Sequence, residues 1–128
     1  MHASGALPLS CGGDHLTTLP VLRALAKSGP VGLIHFDAHS DTWADDDFDR
    51  IDHGTGMYKA IRQGFVDPAR SVQVGIRTTN PDTLGVTIID AAEVHAGSPS
   101  DVAARIKDVV GDRPAYVSFD IDALDPAF

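Results

Sequence analysis

A chain of 128 residues and 13.5 kDa holds one ordinary domain, taken here as residues 1–128, with no room for a second independent core. Hydrophobic residues make up 43% and charged residues 22%, a globular composition that excludes disorder and collagen-like sequence, and no apolar run approaches the roughly 18–20 residues of a membrane span. The formal charge of −8, from 18 acidic against 10 basic residues, excludes a nucleic-acid partner, whose phosphates require a basic face, and suits a cationic ligand.

In chain order, Ala6 to Ser10 reads as a brief strand ending in Cys11-Gly12-Gly13-Asp14-His15. Leu19, Leu22 and Leu25 then recur at helical spacing within Thr17 to Ala26. Ser28-Gly29-Pro30 stops that helix. Val31 to Phe36 is a continuous apolar strand interrupted by Gly32 and His35, and it runs into a long polar loop, Asp37 to Asp52. Loops of that length in compact domains are usually functional. A short helix follows at Met57 to Phe65, then strands at Ser71 to Ile76 and Val86 to Ile89. Asp101 to Val110 is helical, with Ser98 or Ser100 available as its cap, and Ala115 to Phe119 is the last strand. Strands alternating with helices at this spacing define an α/β domain with a mainly parallel sheet.

All but one of the acidic residues are Asp, the exception being Glu93. Asp concentrates at caps, loops and metal sites rather than on helix surfaces. Three candidate strands end in clusters of metal-competent side chains: His15 after Gly12-Gly13-Asp14, then Asp37, His39 and Asp41, then Asp120 and Asp122. In open α/β sheets, ligands bind beyond the carboxyl ends of the strands. In an extended segment, side chains at alternate positions share one side, so Asp37, His39 and Asp41 are expected to converge, and Asp120 with Asp122 likewise. Each residue taken singly also reads as a cap or turn former. Together, two imidazoles and four carboxylates exceed what one tetrahedral zinc needs, and they suit two hard or borderline divalent ions about 3.5–4 Å apart.

Gly-Gly-Asp-His at 12–15, Asp-Ala-His-Ser-Asp at 37–41 and Ser-Phe-Asp-Ile-Asp-Ala-Leu-Asp-Pro at 118–126 resemble, in order, the three signature segments of the ureohydrolase family of arginases and agmatinases. The resemblance implies a three-layer α/β/α fold, two Mn²⁺ ions per subunit and hydrolysis of a small guanidino substrate to urea and an amine. It implies that His15 and Asp41 bind one ion, His39 and Asp122 the other, with Asp37 and Asp120 bridging. It also gives Asp41 a second role, carrying a proton to the leaving amine, and makes His53, in His53-Gly54-Thr55-Gly56, the proton shuttle. A loop histidine beside a flexible turn is the alternative to that reading of His53.

Arginases carry Asn two residues after the last Asp of the second motif and two residues before the shuttle His. Here those positions are Trp43 and Ile51, so L-arginine is not the expected substrate. The segment from His53 to Met57 resembles the agmatinase and guanidinobutyrase branch. Asp45, Asp46, Asp47, Asp49 and Asp52 are expected to border the pocket and attract the cationic tail of agmatine, giving putrescine and urea. Arg50 or Arg77 reaching in would favour 4-guanidinobutyrate instead. The other outcomes weighed are a different amidinohydrolase of the family and a metal-binding remnant without turnover, since no residue matches the family's later guanidinium-gripping Glu and further sequence is expected on both sides. A nucleotide-binding domain is disfavoured because Gly12-Gly13 lacks a phosphate loop's spacing. His35 is expected to be a hydrogen-bonded core residue and Cys11 a small buried thiol. Asp14 and Asp125 are expected to orient ligands or form turns, and His2 and His95 lack partner spacing. A cytoplasmic homo-oligomer, trimer or hexamer, completes the expectation.

Overall fold

The computed structural model describes residues 5–127; His2 lies outside them. Strand β1 (Val31–Phe36) is central. It pairs in parallel with β2 (Val66–Ile76) on one side and with β4 (Ala115–Phe119) on the other, and β2 pairs in parallel with β3 (Thr87–Asp90), giving the order β3-β2-β1-β4. Helices α1 (Thr18–Leu25) and α2 (Gly56–Arg62) supply one layer; α3 (Ala91–Ala96) and α4 (Pro99–Val110) supply the other.

The alternation of side chains along β1 assigns its residues to the two faces. Leu33 packs with Leu22, Met57, Ala60 and Val66 beneath α1 and α2. Ile34 and Phe36 turn the other way, toward Val72, Val74, Ile89 and the Val102, Ile106 and Val109 face of α4. Leu22 and Leu33 are fully buried, and truncating either to Ala costs about 2–5 kcal/mol. Helix α4 begins where Ser98 and Asp101 form a reciprocal capping box, which selects Ser98 over Ser100.

Three expectations need correction. Residues 6–10 form no strand and are exposed, because Pro8 cannot donate to a ladder. Cys11 shares that exposed run and is not buried. Strand β2 starts at Val66, five residues early, through a bulge: Val31 pairs with Val66 but Leu33 pairs with Ser71. The bulge accommodates Pro68. It also brings the Arg70 carbonyl so close to Gly32 that a Cβ there would sit 2.8 Å from it, so only glycine fits. Helix α3 was not expected, although Asp90 and Glu93 form its capping box.

Candidate metal centre

The carboxyl ends of β1 and β4 lie side by side, with Phe36 paired to Phe119 and the Asp120 N–H donating to the Phe36 carbonyl at 2.9 Å. That register puts Asp37 beside Asp120. The chain then turns rather than continuing extended. Asp37 Oδ1 accepts from the His39 N–H at 2.7 Å, and Asp120 Oδ1 accepts from the Asp122 N–H at 3.0 Å. Asp41 takes a left-handed conformation with φ 51°, which Asp tolerates better than most residues. Its carbonyl caps α2 by accepting from Met57 and Tyr58 at 3.0 Å each. Asp37, His39 and Asp41 therefore do not converge on one point as expected: Asx turns and one left-handed residue, not strand alternation, place them, and they send Asp41 to one side of Asp37 and His39 to the other.

Two clusters result, and Asp37 belongs to both. His15 Nδ1 lies 2.8 Å from Asp37 Oδ2, 3.3 Å from Asp41 Oδ2 and 3.4 Å from Asp120 Oδ2. On the other side, His39 Nδ1 is 2.9 Å from Asp122 Oδ2 and 3.5 Å from Asp37 Oδ1. His15 arrives from the 3₁₀ turn His15–Thr17 ahead of α1, which Asp14 caps by accepting from the Leu16 N–H. Its Nε2 bonds Ser118 Oγ at 2.6 Å. When His15 is neutral and Nε2 donates to Ser118, Nδ1 presents a lone pair to three carboxylates.

The geometry at that nitrogen tests whether cations fit. His15 Nδ1 is buried and makes no hydrogen bond, despite carboxylate oxygens on three sides. An imidazole lone pair and several anionic oxygens facing one point repel unless a cation lies between them. Without one, the carboxylates act on the ring itself: burial lowers the imidazolium pKa, but Asp37 and Asp41 outweigh it and hold it up to about 10. Burial raises the Asp37 pKa, yet the close approach of the His15 ring and the bond from His35 bring it well below the usual carboxylate range. Asp122 moves upward, chiefly through burial and with Asp37 and Asp120 as like charges, against the Ala38 N–H that bonds it.

These residues line a cavity of about 320 Å³, to which Trp43, His53 and Gly54 also contribute. His53 is largely exposed, and its Nδ1 lies 2.8 Å from Asp14 Oδ2. That bond, first among the causes, raises its pKa. Asp14 thus caps a turn and orients a cavity histidine at once; Asp125 forms a turn by accepting from Ala127.

The acidic run does not border the cavity. Asp45 faces Arg50 and Lys59, Asp46 accepts from Tyr58 Oη, Asp47 accepts from the Asp49 and Arg50 amides, and Asp52 pairs with Arg50 and bonds the Gly54 amide. Their charge is committed to the loop's own structure, which removes the electrostatic argument drawn from them. Arg50 is occupied there as well. Arg77 donates to the carbonyls of Asp122 and Ala123, bracing the turn that carries Asp122.

Sequence reasoning overlooked a polar row crossing the sheet under the site. Gln73, His35 and Ser118 are register partners on β2, β1 and β4, and all three are buried. The available signal was a polar residue interrupting each apolar run. His35 is the hydrogen-bonded core residue expected, with bonds to Asp37 and Gln73.

A parallel α/β sheet with paired carboxylate and imidazole clusters beyond its strand ends has the form of a hydrolase metal centre. The chain belongs to the arginase family, whose sequence model matches residues 1–128. It is 51% identical over 127 residues to an agmatinase of Chromobacterium violaceum, covering 98% of this chain and 39% of that protein. It is 52% identical to an Escherichia coli agmatinase over 98% of this chain and 41% of that one. The chain therefore spans about two fifths of the length of these curated relatives. Among solved structures, a hypothetical agmatinase from Burkholderia thailandensis superposes with a TM-score of 0.89 at 56% identity, over 91% of this chain and 38% of that one. Proclavaminate amidino hydrolase from Streptomyces clavuligerus gives 0.85 at 42% identity, over 91% and 41%. No helix among the described residues is long and apolar enough to cross a membrane.

Proposed function

We propose that the natural protein hydrolyses the guanidino C–N bond of agmatine, releasing urea and putrescine, at a site that holds two Mn²⁺ ions. The observation that carries this reading is the pair of clusters sharing Asp37, with an unbonded His15 Nδ1 facing three carboxylates. In it His15 and Asp41 hold one ion, His39 and Asp122 the other, and Asp37 and Asp120 serve both. When bound, such a pair of cations supplies Lewis acidity that makes water a nucleophile near neutral pH and stabilises developing negative charge.

The chain's own residues do the rest. Asp41, whose backbone is held by its left-handed conformation and the α2 amides, passes a proton to the leaving amine. Asp14 holds His53 through Nδ1, and Nε2 has no partner among the described residues. The raised pKa of His53 keeps its proton available at higher pH, as a shuttle at a cavity mouth requires. Trp43 presents an indole to the cavity that a cationic substrate can approach. Agmatine is preferred over 4-guanidinobutyrate because relatives about half identical to this chain are agmatinases. From the resemblance to the ureohydrolase family we further propose a cytoplasmic homo-oligomer, trimer or hexamer, working in polyamine biosynthesis.

The test is urea release by the Mn²⁺-loaded natural protein from agmatine, 4-guanidinobutyrate and L-arginine. Urea from agmatine alone is expected. Release mainly from 4-guanidinobutyrate would reassign the substrate, and no release from any of the three would sink the hydrolase reading.

A further inference from the structure

The carboxylate of Asp37 is held by one donor on each oxygen. The His39 N–H bonds Oδ1 at 2.7 Å and His35 Nε2 bonds Oδ2 at 2.7 Å. Each oxygen then keeps its second acceptor direction free, Oδ2 toward the His15 cluster and Oδ1 toward the His39 cluster. The backbone contact needs no particular side chain. The His35 contact is different, because an imidazole donates through Nε2 only in one tautomer.

That tautomer follows from the other end of the ring. Gln73 Nε2 lies 2.6 Å from the Ser40 carbonyl oxygen, which can only accept, so the amide NH₂ must face that way. The second hydrogen of the same NH₂ is directed at His35 Nδ1, 2.9 Å away. Nδ1 therefore accepts, the ring proton sits on Nε2, and Nε2 donates to Asp37. Both side chains are buried, His35 fully and Gln73 to within 1%, so water cannot substitute for either. His35 offers a nitrogen close enough to His15, Asp37 and Asp41 to be counted among possible ligands. The proton on Nε2 excludes it from that role.

We propose that Gln73 and His35 are positioning residues: Gln73 locks the His35 tautomer, and His35 fixes the Asp37 carboxylate so that its two oxygens address two different ions. This rests on the reading of Asp37 as a ligand shared by two ions. Outer groups that orient ligands typically change metal affinity by about 10–100-fold when removed.

The experiment uses the natural protein, with two readouts other than turnover. Neutron diffraction locates the His35 proton in the unmodified protein, and Mn²⁺ titration followed by electron paramagnetic resonance compares His35→Leu, Gln73→Met and His35→Gln. A proton on Nε2 is expected. His35→Leu and Gln73→Met are expected to weaken Mn²⁺ binding about 10–100-fold, while His35→Gln, which restores an amide donor toward Asp37, stays within about threefold of the unmodified protein. A proton on Nδ1, or tight binding by His35→Leu, overturns the inference and leaves the metal site standing. An unmodified protein that binds no Mn²⁺ overturns both. A variant that fails to fold leaves the neutron result to decide.

Discussion

Lys59 is 1% exposed in the middle of α2, and replacing it tests how the acidic loop is held. Its Nζ donates to the Arg50 carbonyl and lies 3.5 Å from Asp45 Oδ2. That oxygen is buried and makes no hydrogen bond among the described residues, where the only other cation near it is Arg50 Nε at 3.4 Å, on a side chain 57% exposed. Lys59→Met keeps the aliphatic stem, so no large cavity opens. It removes a charged donor worth about 1.5–3 kcal/mol and leaves Asp45 with a solvent-screened partner. Removing one member of a buried pair outright costs about 3–5 kcal/mol; with Arg50 remaining, about 2–3 kcal/mol is expected. In urea, with a slope near 2 kcal/mol/M, the midpoint should fall by roughly 1–1.5 M. Asp45→Asn in the same chain should recover part of the loss, giving a coupling of about 1 kcal/mol in a double-mutant cycle. An unchanged or raised midpoint in Lys59→Met would refute the reasoning, because dehydrating the ammonium would then outweigh everything that holds it.

Asp122→Asn should lower Mn²⁺ stoichiometry to about one ion per chain, whereas Asp37→Asn should disturb both sites; metal analysis after gel filtration distinguishes them, and equal losses would contradict a shared Asp37. Metal-free protein should lose stability as pH rises from about 6.5 toward 10, since the folded chain keeps His15 protonated up to about 10 and the unfolded chain releases that proton near 6.5. The His15 contribution is complete below the unfolded value and lost through the folded one, so a melting temperature in chelator that stays flat or climbs over that range would count against it. Gly75→Ala should cost about 1–2 kcal/mol in a denaturant titration. Gly75 has φ +92° at the register shift between Val74 and Ile76, and a Cβ there would sit 3.4 Å from the Asp37 carbonyl oxygen.

Much of the fold was legible where apolar runs carry it. Val31–Phe36 and the Leu-spaced α1 follow from hydrophobic pattern alone, because burial on both faces or along one stripe leaves few alternatives; Ala115–Phe119 follows from its apolar run although, at the sheet edge, it leaves Val117 and Phe119 exposed. The clustering of His15, Asp37, His39, Asp41, Asp120 and Asp122 was legible because they stand at strand ends within short stretches of sequence. What escaped reading depends on contacts between distant positions. Asp14 meets His53, and Asp45 meets Lys59, only after α1, β1 and α2 have packed. The His35–Gln73 contact spans the β1–β2 register, which the bulge at Asp67 to Arg70 sets. An Asp run looks alike in sequence whether it faces a ligand or its own loop, and here most of its members cap turns or pair with Arg50, Lys59 and Tyr58.

On the proposed reading, charge balance favours two cations at this centre. Asp37, Asp41, Asp120 and Asp122 converge while Asp37 and Asp41 are almost wholly removed from water. Like charges so placed must take up protons or counterions. A protonated His15 offsets only one of the four. One divalent ion would leave a doubly negative cluster, and at Asp122, whose pKa burial raises first, the neighbouring Asp37 and Asp120 charges push the same way. On that reading two divalent ions would match the four carboxylates and displace the His15 proton, so that both imidazoles would present a lone pair. A guanidinium substrate would then meet carboxylates whose charge the ions already balance, and attraction for its far end would have to come from outside the ligand clusters. With the loop acids already occupied by their own partners, discrimination between a cationic and an anionic tail falls to surfaces beyond Asp45–Asp52, so neutralising Asp46 or Asp47 should leave the ratio of agmatine to 4-guanidinobutyrate turnover within about twofold. A tenfold fall in that ratio would place those carboxylates back at the pocket.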